Sequence, residues 1–266
     1  MKKFLFSVCS VLALSGCGGD DGELPRLGWD NDAYVYCRYN ARCEFVSVED
    51  CTYYYGGTNY GSDSYCSGGG GDNNPGGGGK GNDISNYRTV NIGSQKWMAE
   101  NLNYNVSGSK CYGNSESNCN TYGRLYNWST AMGLPSNCNS NTCSNQIQSK
   151  HRGICPIGWH IPNDADWNVL MDYVGGSSVA GTKLKSTSGW YNNGNGTDDY
   201  GFSALPGGYG YSDGSFLIVG DYGYWWSASE YNSFGAYLRG MRYNYDNADW
   251  GNIDKSNLFS VRCLQD

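Results

Sequence analysis

The sequence predicts a mixed domain of short strands and long loops that carries two short helices, is cross-linked by disulfides, and follows a small module of its own. Three observations predict it. Tyr (24), Trp (9) and Gly (40) are abundant while charged residues are only 16% of the chain, a composition of exported strand-and-loop proteins rather than of cytosolic helical enzymes. Twelve cysteines fall into two even sets once the two near the N-terminus are set aside. Two segments alone carry helical spacing of apolar residues.

The chain of 266 residues opens with Lys2 and Lys3, then the apolar run FLFSVCSVLAL, too short to cross a bilayer as a helix. Leu14-Ser15-Gly16-Cys17 follows and resembles a bacterial lipobox, which makes Cys17 the expected lipid anchor. Several acyl chains on one cysteine, at about 0.8 kcal/mol per buried CH₂, would hold the protein on a membrane. The expected setting is the cell envelope, as an outer-membrane lipoprotein. Residues 18–32 then form a tether whose early acids, Asp20, Asp21 and Glu23, resemble surface-export tags and serve equally as a solvated spacer. The formal net charge of −7 becomes −9 once Lys2 and Lys3 are removed. That leaves no basic footprint for nucleic acid.

Residues 33–67 form a small module with Cys37, Cys43, Cys51 and Cys66, too short for a core without staples. Four cysteines allow three pairings, and the sequence does not choose among them. A Gly-rich linker, 68–86, separates it from the main domain at 87–266. A coil of about fifteen such residues spans roughly 20 Å.

The main domain opens YRTVNIGSQKWMAENLNY. Val90 and Ile92 alternate with polar residues, Gly93-Ser94 offers a turn, and Trp97-Met98 resumes, which predicts a hairpin. Residues 123–133, GRLYNWSTAMG, place Leu125, Trp128 and Met132 at i, i+3 and i+7 and predict a short helix stopped by Gly133. In ICPIGWHIPNDADWNVL, residues 154–170, Pro162 ends an extended segment, Asn163 is an N-cap, and Asp164 and Asp166 lie in the first turn. Trp167, Leu170, Met171 and Val174 form a buried stripe, closed by Gly175-Gly176. His160 is expected as hydrogen-bonded scaffold. Further strands are expected at 202–205, 224–229, 236–243 and 258–264, with loops between them, including NYDNADWGNIDKSN.

CPIGWHIPNDADW, WMAENLNY, GFSALPGGY, YWWSASEY and the final SVRC, in this order, strongly resemble the Fibrobacter succinogenes major paralogous domain over 87–266. That family is in turn distantly similar to the C-type-lectin-like and formylglycine-generating-enzyme folds. The resemblance implies a compact α+β domain with a twisted antiparallel sheet, two flanking helices and long loops. It also implies a Cys155–Cys263 bridge, with Cys111–Cys119 and Cys138–Cys143 as local staples, out of fifteen pairings that six cysteines allow. It brings no catalytic activity with it and suits adhesion or display.

Catalysis has little to stand on. His151 and His160 are the only histidines, and no G-x-S-x-G occurs. No CxxC spacing points to zinc. Glycoside hydrolysis needs two carboxylates across a sugar, and Asp198, Asp199, Asp213, Asp221, Glu230, Asp246 and Asp249 are available. Lectin-like relatives bind calcium in long loops, which makes Asp246 and Asp249 the calcium candidates. The strongest signal is aromatic. Trp225, Trp226, Tyr209, Tyr211, Tyr245 and Trp250 are the candidate ligand-binding residues, because exposed Tyr and Trp are rigid amphipathic contact residues. In a regular strand Trp225 and Trp226 would face opposite sides, with at most one in the core. Three readings follow: a surface-anchored binding module for polysaccharide or a protein partner, an inert envelope or display protein, and a carbohydrate-active enzyme.

Overall fold

The computed structural model describes residues 34–39, 42–47 and 80–266. The chain divides into two units, Met1–Asn73 and Asn74–Asp266. In the first, strands β1 (Tyr34–Tyr39) and β2 (Arg42–Ser47) pair antiparallel, with Tyr39 opposite Arg42. Cys17, the tether and the bridges expected of Cys37, Cys43, Cys51 and Cys66 lie outside the described residues or concern side chains that are not described.

The second unit is an α+β domain. Its hairpin forms as the alternation predicts: β3 (Thr89–Ile92) and β4 (Gln95–Met98) pair antiparallel from Ile92↔Gln95. Helix α1 (Glu116–Tyr122) follows, unforeseen in the sequence. The helix expected at 123–133 is shorter, α2 (Trp128–Met132). The Asn127 side chain accepts from Thr130 N and starts the helix there. Leu125 and Tyr126 instead bridge to Lys110 and Phe259 as extended chain. Strand β5 (Trp159–His160) leads into α3 (Asp164–Tyr173), which carries a full capping box: Asn163 accepts from Asp166 N, and Asp166 accepts from Asn163 N. Helix α4 (Ser177–Leu184) was not anticipated.

Two short strands, β6 (Tyr209–Gly210) and β7 (Phe216–Leu217), precede the main sheet. That sheet is β8 (Tyr222–Glu230), β9 (Gly235–Arg242) and β10 (Ala248–Asp254), antiparallel in the order β10-β9-β8. β10 corrects the loop expected at 244–257. Residues 202–205 are not a strand; Ala204 makes one isolated bridge to Lys185. The strand expected at 258–264 is reduced to β11 (Leu264–Gln265), because residues 258–260 are shared by bridges to Tyr126, Gly210 and Trp225. β11 completes a second sheet, β3-β4-β11-β5, joining the two ends of the domain.

Two apolar cores lie on opposite sides of β8. One gathers Trp128, Trp159, Trp226, Leu238 and Phe259; the other gathers Trp97, Trp167, Phe202, Trp225 and Met241 beneath α3 and α4. A register shift between Trp226 and Glu230 bulges β8. Ala228 N then donates to Pro162 O, and Ser229 Oγ accepts from Asp164 N. The WHIPND segment is thereby docked on the main sheet, which makes it a folding signature.

Among the described residues the disulfides are Cys111–Cys119, Cys138–Cys143 and Cys155–Cys263, as the resemblance implied. Among the described residues no helix is long and apolar enough to cross a membrane.

Candidate functional site

The outer half of the main sheet faces a groove of about 320 Å³. Strand alternation and register decide which side chains reach it. Tyr222 lies opposite Arg242, Tyr224 opposite Gly240, and Gly240 opposite Asp249, so all of these share one face. Trp226 and Leu238, next along that face, sink into the first core. The face is thus buried at one end and open at the other.

Tyrosine dominates the open end. The rings of Tyr222 and Tyr224 stack at 5.4 Å and an interplanar angle of 19°. Tyr209, from β6, meets Tyr224 edge-on at 5.9 Å and Tyr211 at 5.1 Å, and the Tyr209 and Tyr211 hydroxyls are 2.8 Å apart. Phe259 lies beneath, 5.3 Å from Tyr224 and 5.7 Å from Tyr209. Gly240 permits this layer: a Cβ there would stand 2.7 Å from the Tyr224 ring. Burial, followed by the electrostatic effect of Tyr222, pushes the Tyr224 phenol up to about 12. Burial, followed by the Tyr211 hydrogen bond, does the same to Tyr209. Both remain neutral O–H groups at physiological pH.

Two charged groups line the groove, Arg242 and Asp249. The Arg242 guanidinium lies 5.0 Å from the Tyr222 ring centroid and 5.1 Å from that of Tyr245. Its Nε is buried and has no hydrogen-bond partner among the described residues. Asp249 accepts a hydrogen bond from the Asn247 side-chain amide.

The expected ligand-binding residues therefore separate. Tyr209 and Tyr211 line the groove, and Tyr245 sits at its edge against Arg242. Trp250 borders the groove through its strand, but its ring is on the other face of the sheet, 5.8 Å from Tyr237, and is 63% exposed. Trp225 and Trp226 are corrected: both are fully buried, because each face of β8 is covered by its own core. Trp226 Nε1 donates to Tyr126 O and Trp225 Nε1 to Asn101 Oδ1, so even their polar atoms are engaged inward. Arg242 was not singled out in the sequence, and Tyr222 and Tyr224, though part of its aromatic run, were not among the candidate ligand-binding residues. The signal was there: Arg242 is a cation at the end of a strand in an acidic, aromatic segment, two residues from Gly240.

The calcium candidates are held apart. Asp246 Oδ1 accepts from Thr182 Oγ1 beside α4, whereas Asp249 is in β10 on the groove face. Among the described residues one group of three potential metal ligands occurs, Cys111, Glu116 and Cys119, and its two cysteines are disulfide-bonded. Of the carboxylates considered for hydrolysis, Glu230 is sequestered by Lys255 and Asp198 accepts from Ser203 N and Oγ, while Asp249 lines the groove.

These features define a disulfide-bonded α+β domain with a tyrosine-lined groove on its main sheet. The chain belongs to the Fibrobacter succinogenes major domain family, whose characteristic sequence it matches over residues 90–265. No curated protein and no solved structure matches it.

Proposed function

We propose that this is a non-catalytic carbohydrate-binding module, held at the bacterial envelope through a lipid on Cys17, that takes a polysaccharide along the tyrosine groove. The observation that carries the reading is the layer of Tyr209, Tyr211, Tyr222 and Tyr224 at the open end of a sheet face, with Arg242 and Asp249 among the rings. Flat phenol rings offer apolar contact to the C–H faces of sugars, and their hydroxyls and the two charged groups offer hydrogen bonds to sugar oxygens. One carboxylate in the groove, where glycoside hydrolysis uses two, favours binding over cleavage. A C-type-lectin-like ancestry fits the same reading: a Pro-to-Trp helix start at Pro162–Trp167 stands in mid-domain, an aromatic strand lies late in the chain, and a long-range bridge ties Cys155 to Cys263.

The test is binding of the full chain to immobilised plant and bacterial polysaccharides, with Tyr211→Ala and Tyr224→Ala alongside and calcium present or chelated. Specific binding lost in the variants supports the module. Failure to bind any glycan, by protein with all cysteines oxidised, turns the assignment toward a second reading, capture of a protein partner. The exposed rings of Tyr231, Phe234 and Trp250, 51 to 63% accessible around the β8–β9 end of the sheet, favour that alternative.

A further inference from the structure

The groove's charge distribution specifies more than a sugar. Among the described residues Arg242 makes cation–π contacts to Tyr222 and Tyr245 and enters no ion pair, and its Nε has no hydrogen-bond partner. Lys96 is half-buried in the same way, over the Trp159 ring, but lies outside the groove. The fully buried cations of the described domain have acceptors. Lys255 is bonded to Glu230 and two carbonyls, Lys185 to three carbonyls, Arg239 to Asn168, and Arg262 to Asn101 and the carbonyls of Phe202 and Ser203. In a protein of net charge −7, a half-buried guanidinium at the mouth of an aromatic groove, with neither an anion nor a hydrogen-bond acceptor among the described residues, is open to a ligand's anion. A guanidinium clamped between rings keeps its charge and fixes the plane of its fork, the arrangement that suits a carboxylate.

Asp249 sharpens the specificity. It belongs to the same sheet face, opposite Gly240, while Arg242 lies two residues further along β9. That is a diagonal neighbour, about 7–8 Å away by strand geometry, and the two side chains do not pair. A ligand bearing one carboxylate and several hydroxyls satisfies both ends: carboxylate to Arg242, hydroxyl donors to Asp249. A polymer with two or more charges per sugar, such as a heavily sulfated one, would set its second charge against Asp249.

From this geometry we infer that the groove selects uronic-acid polysaccharides, with a sugar carboxylate on Arg242 and a ring face on Tyr222 and Tyr224. The inference rests on the carbohydrate-binding reading above and narrows it to acidic, singly charged sugars.

The experiment compares binding of the full chain to polygalacturonate, to the same polymer fully methyl-esterified, to a neutral galactan, to a sulfated galactan and to polyglutamate. Esterification removes the charge without altering the sugar face, so it tests Arg242 in the unmutated protein. The expected result is preference for polygalacturonate over its ester by about tenfold to a hundredfold, the range of one charge-assisted hydrogen-bond pair. Arg242→Gln should abolish that preference, and Arg242→Lys should restore part of it. Equal binding of acid, ester and neutral galactan would overturn the uronate assignment and leave the carbohydrate module standing. Equal or tighter binding of polyglutamate would overturn it in favour of acidic peptide, and of the sulfated galactan in favour of general anion capture. Binding to none of the polymers would sink both this inference and the reading on which it rests.

Discussion

Trp225 and Trp226 are adjacent in the chain and belong to different cores. Trp225 packs with Trp97, Trp167 and Met241, and Trp226 packs with Phe259 at 4.7 Å between ring centroids. One strand thus serves as the partition between two apolar layers, and its outward hydrogen bonds run to Ser260 and Pro162. The covering of both faces is why the pair of indoles is structural.

Trp225→Ala or Trp226→Ala should therefore lower the unfolding free energy by about 3–5 kcal/mol each, the range for deleting a buried aromatic ring. Tyr211→Ala, at a ring 37% exposed, should cost under about 1 kcal/mol. Urea titrations of the three variants check the ordering. A tryptophan variant as stable as the parent would contradict the two-core arrangement.

Lys255 is fully buried, and its Nζ is 2.5 Å from Glu230 Oε1. It also donates to Asn141 O and Ser233 O and lies 4.7 Å from the Trp128 ring centroid. Glu230 Oε1 in turn accepts from Cys143 N. The pair joins the Cys138–Cys143 loop, the β8–β9 turn and the chain after β10. Lys255→Met strands a buried carboxylate and should cost about 3–5 kcal/mol. Lys255→Met combined with Glu230→Leu should recover part of that loss in the same denaturation assay, because the uncompensated charge is gone.

The bridges should differ in weight. Cys155–Cys263 closes 108 residues, and the chain-entropy relation gives about 4.7 kcal/mol for a loop of that order. Cys111–Cys119 closes 8 and gives about 2.5 kcal/mol by the same relation. Paired Cys→Ala variants, compared by thermal melting, should show the larger loss at the long bridge, which also fastens β11 to the segment before β5.

The legible parts of this fold are those whose signals are local. The β3–β4 hairpin follows from alternation and a turn dipeptide, and α3 from a capping box and a four-residue apolar stripe. What escaped depends on tertiary contact. β10 reads Ala-Asp-Trp-Gly-Asn-Ile-Asp, an edge strand mostly exposed, whose polar residues have loop composition. α4 carries Gly181 in mid-helix because a Cβ there would stand 2.3 Å from Asn247 O, so its poor propensity is a packing requirement. The groove was half legible: the aromatic density marked the region, but which rings face outward depends on the β8 bulge and the second core.

The imidazole of His160 links the end of the described chain to the start of α3, and it makes stability depend on pH. It is 2% exposed, with Nδ1 2.8 Å from Asp266 Oδ1 and Nε2 3.4 Å from Asp166 Oδ2, the latter a charge contact without hydrogen-bond geometry. Burial by itself would lower its pKa, but Asp166 and Asp266 outweigh burial, and the net shift is upward from 6.5. A group whose pKa is higher in the folded state binds its proton more tightly there. Its contribution is complete below the unfolded value of about 6.5 and is lost as pH rises through the folded pKa. Unfolding free energy should accordingly fall with rising pH across that window. Asp266→Asn should lower the imidazole pKa and flatten the dependence. With only His151 and His160 in the chain, NMR titration of the two ring resonances assigns each directly. His151, whose pKa burial pushes down, should titrate below His160, and the reverse order would refute the arrangement.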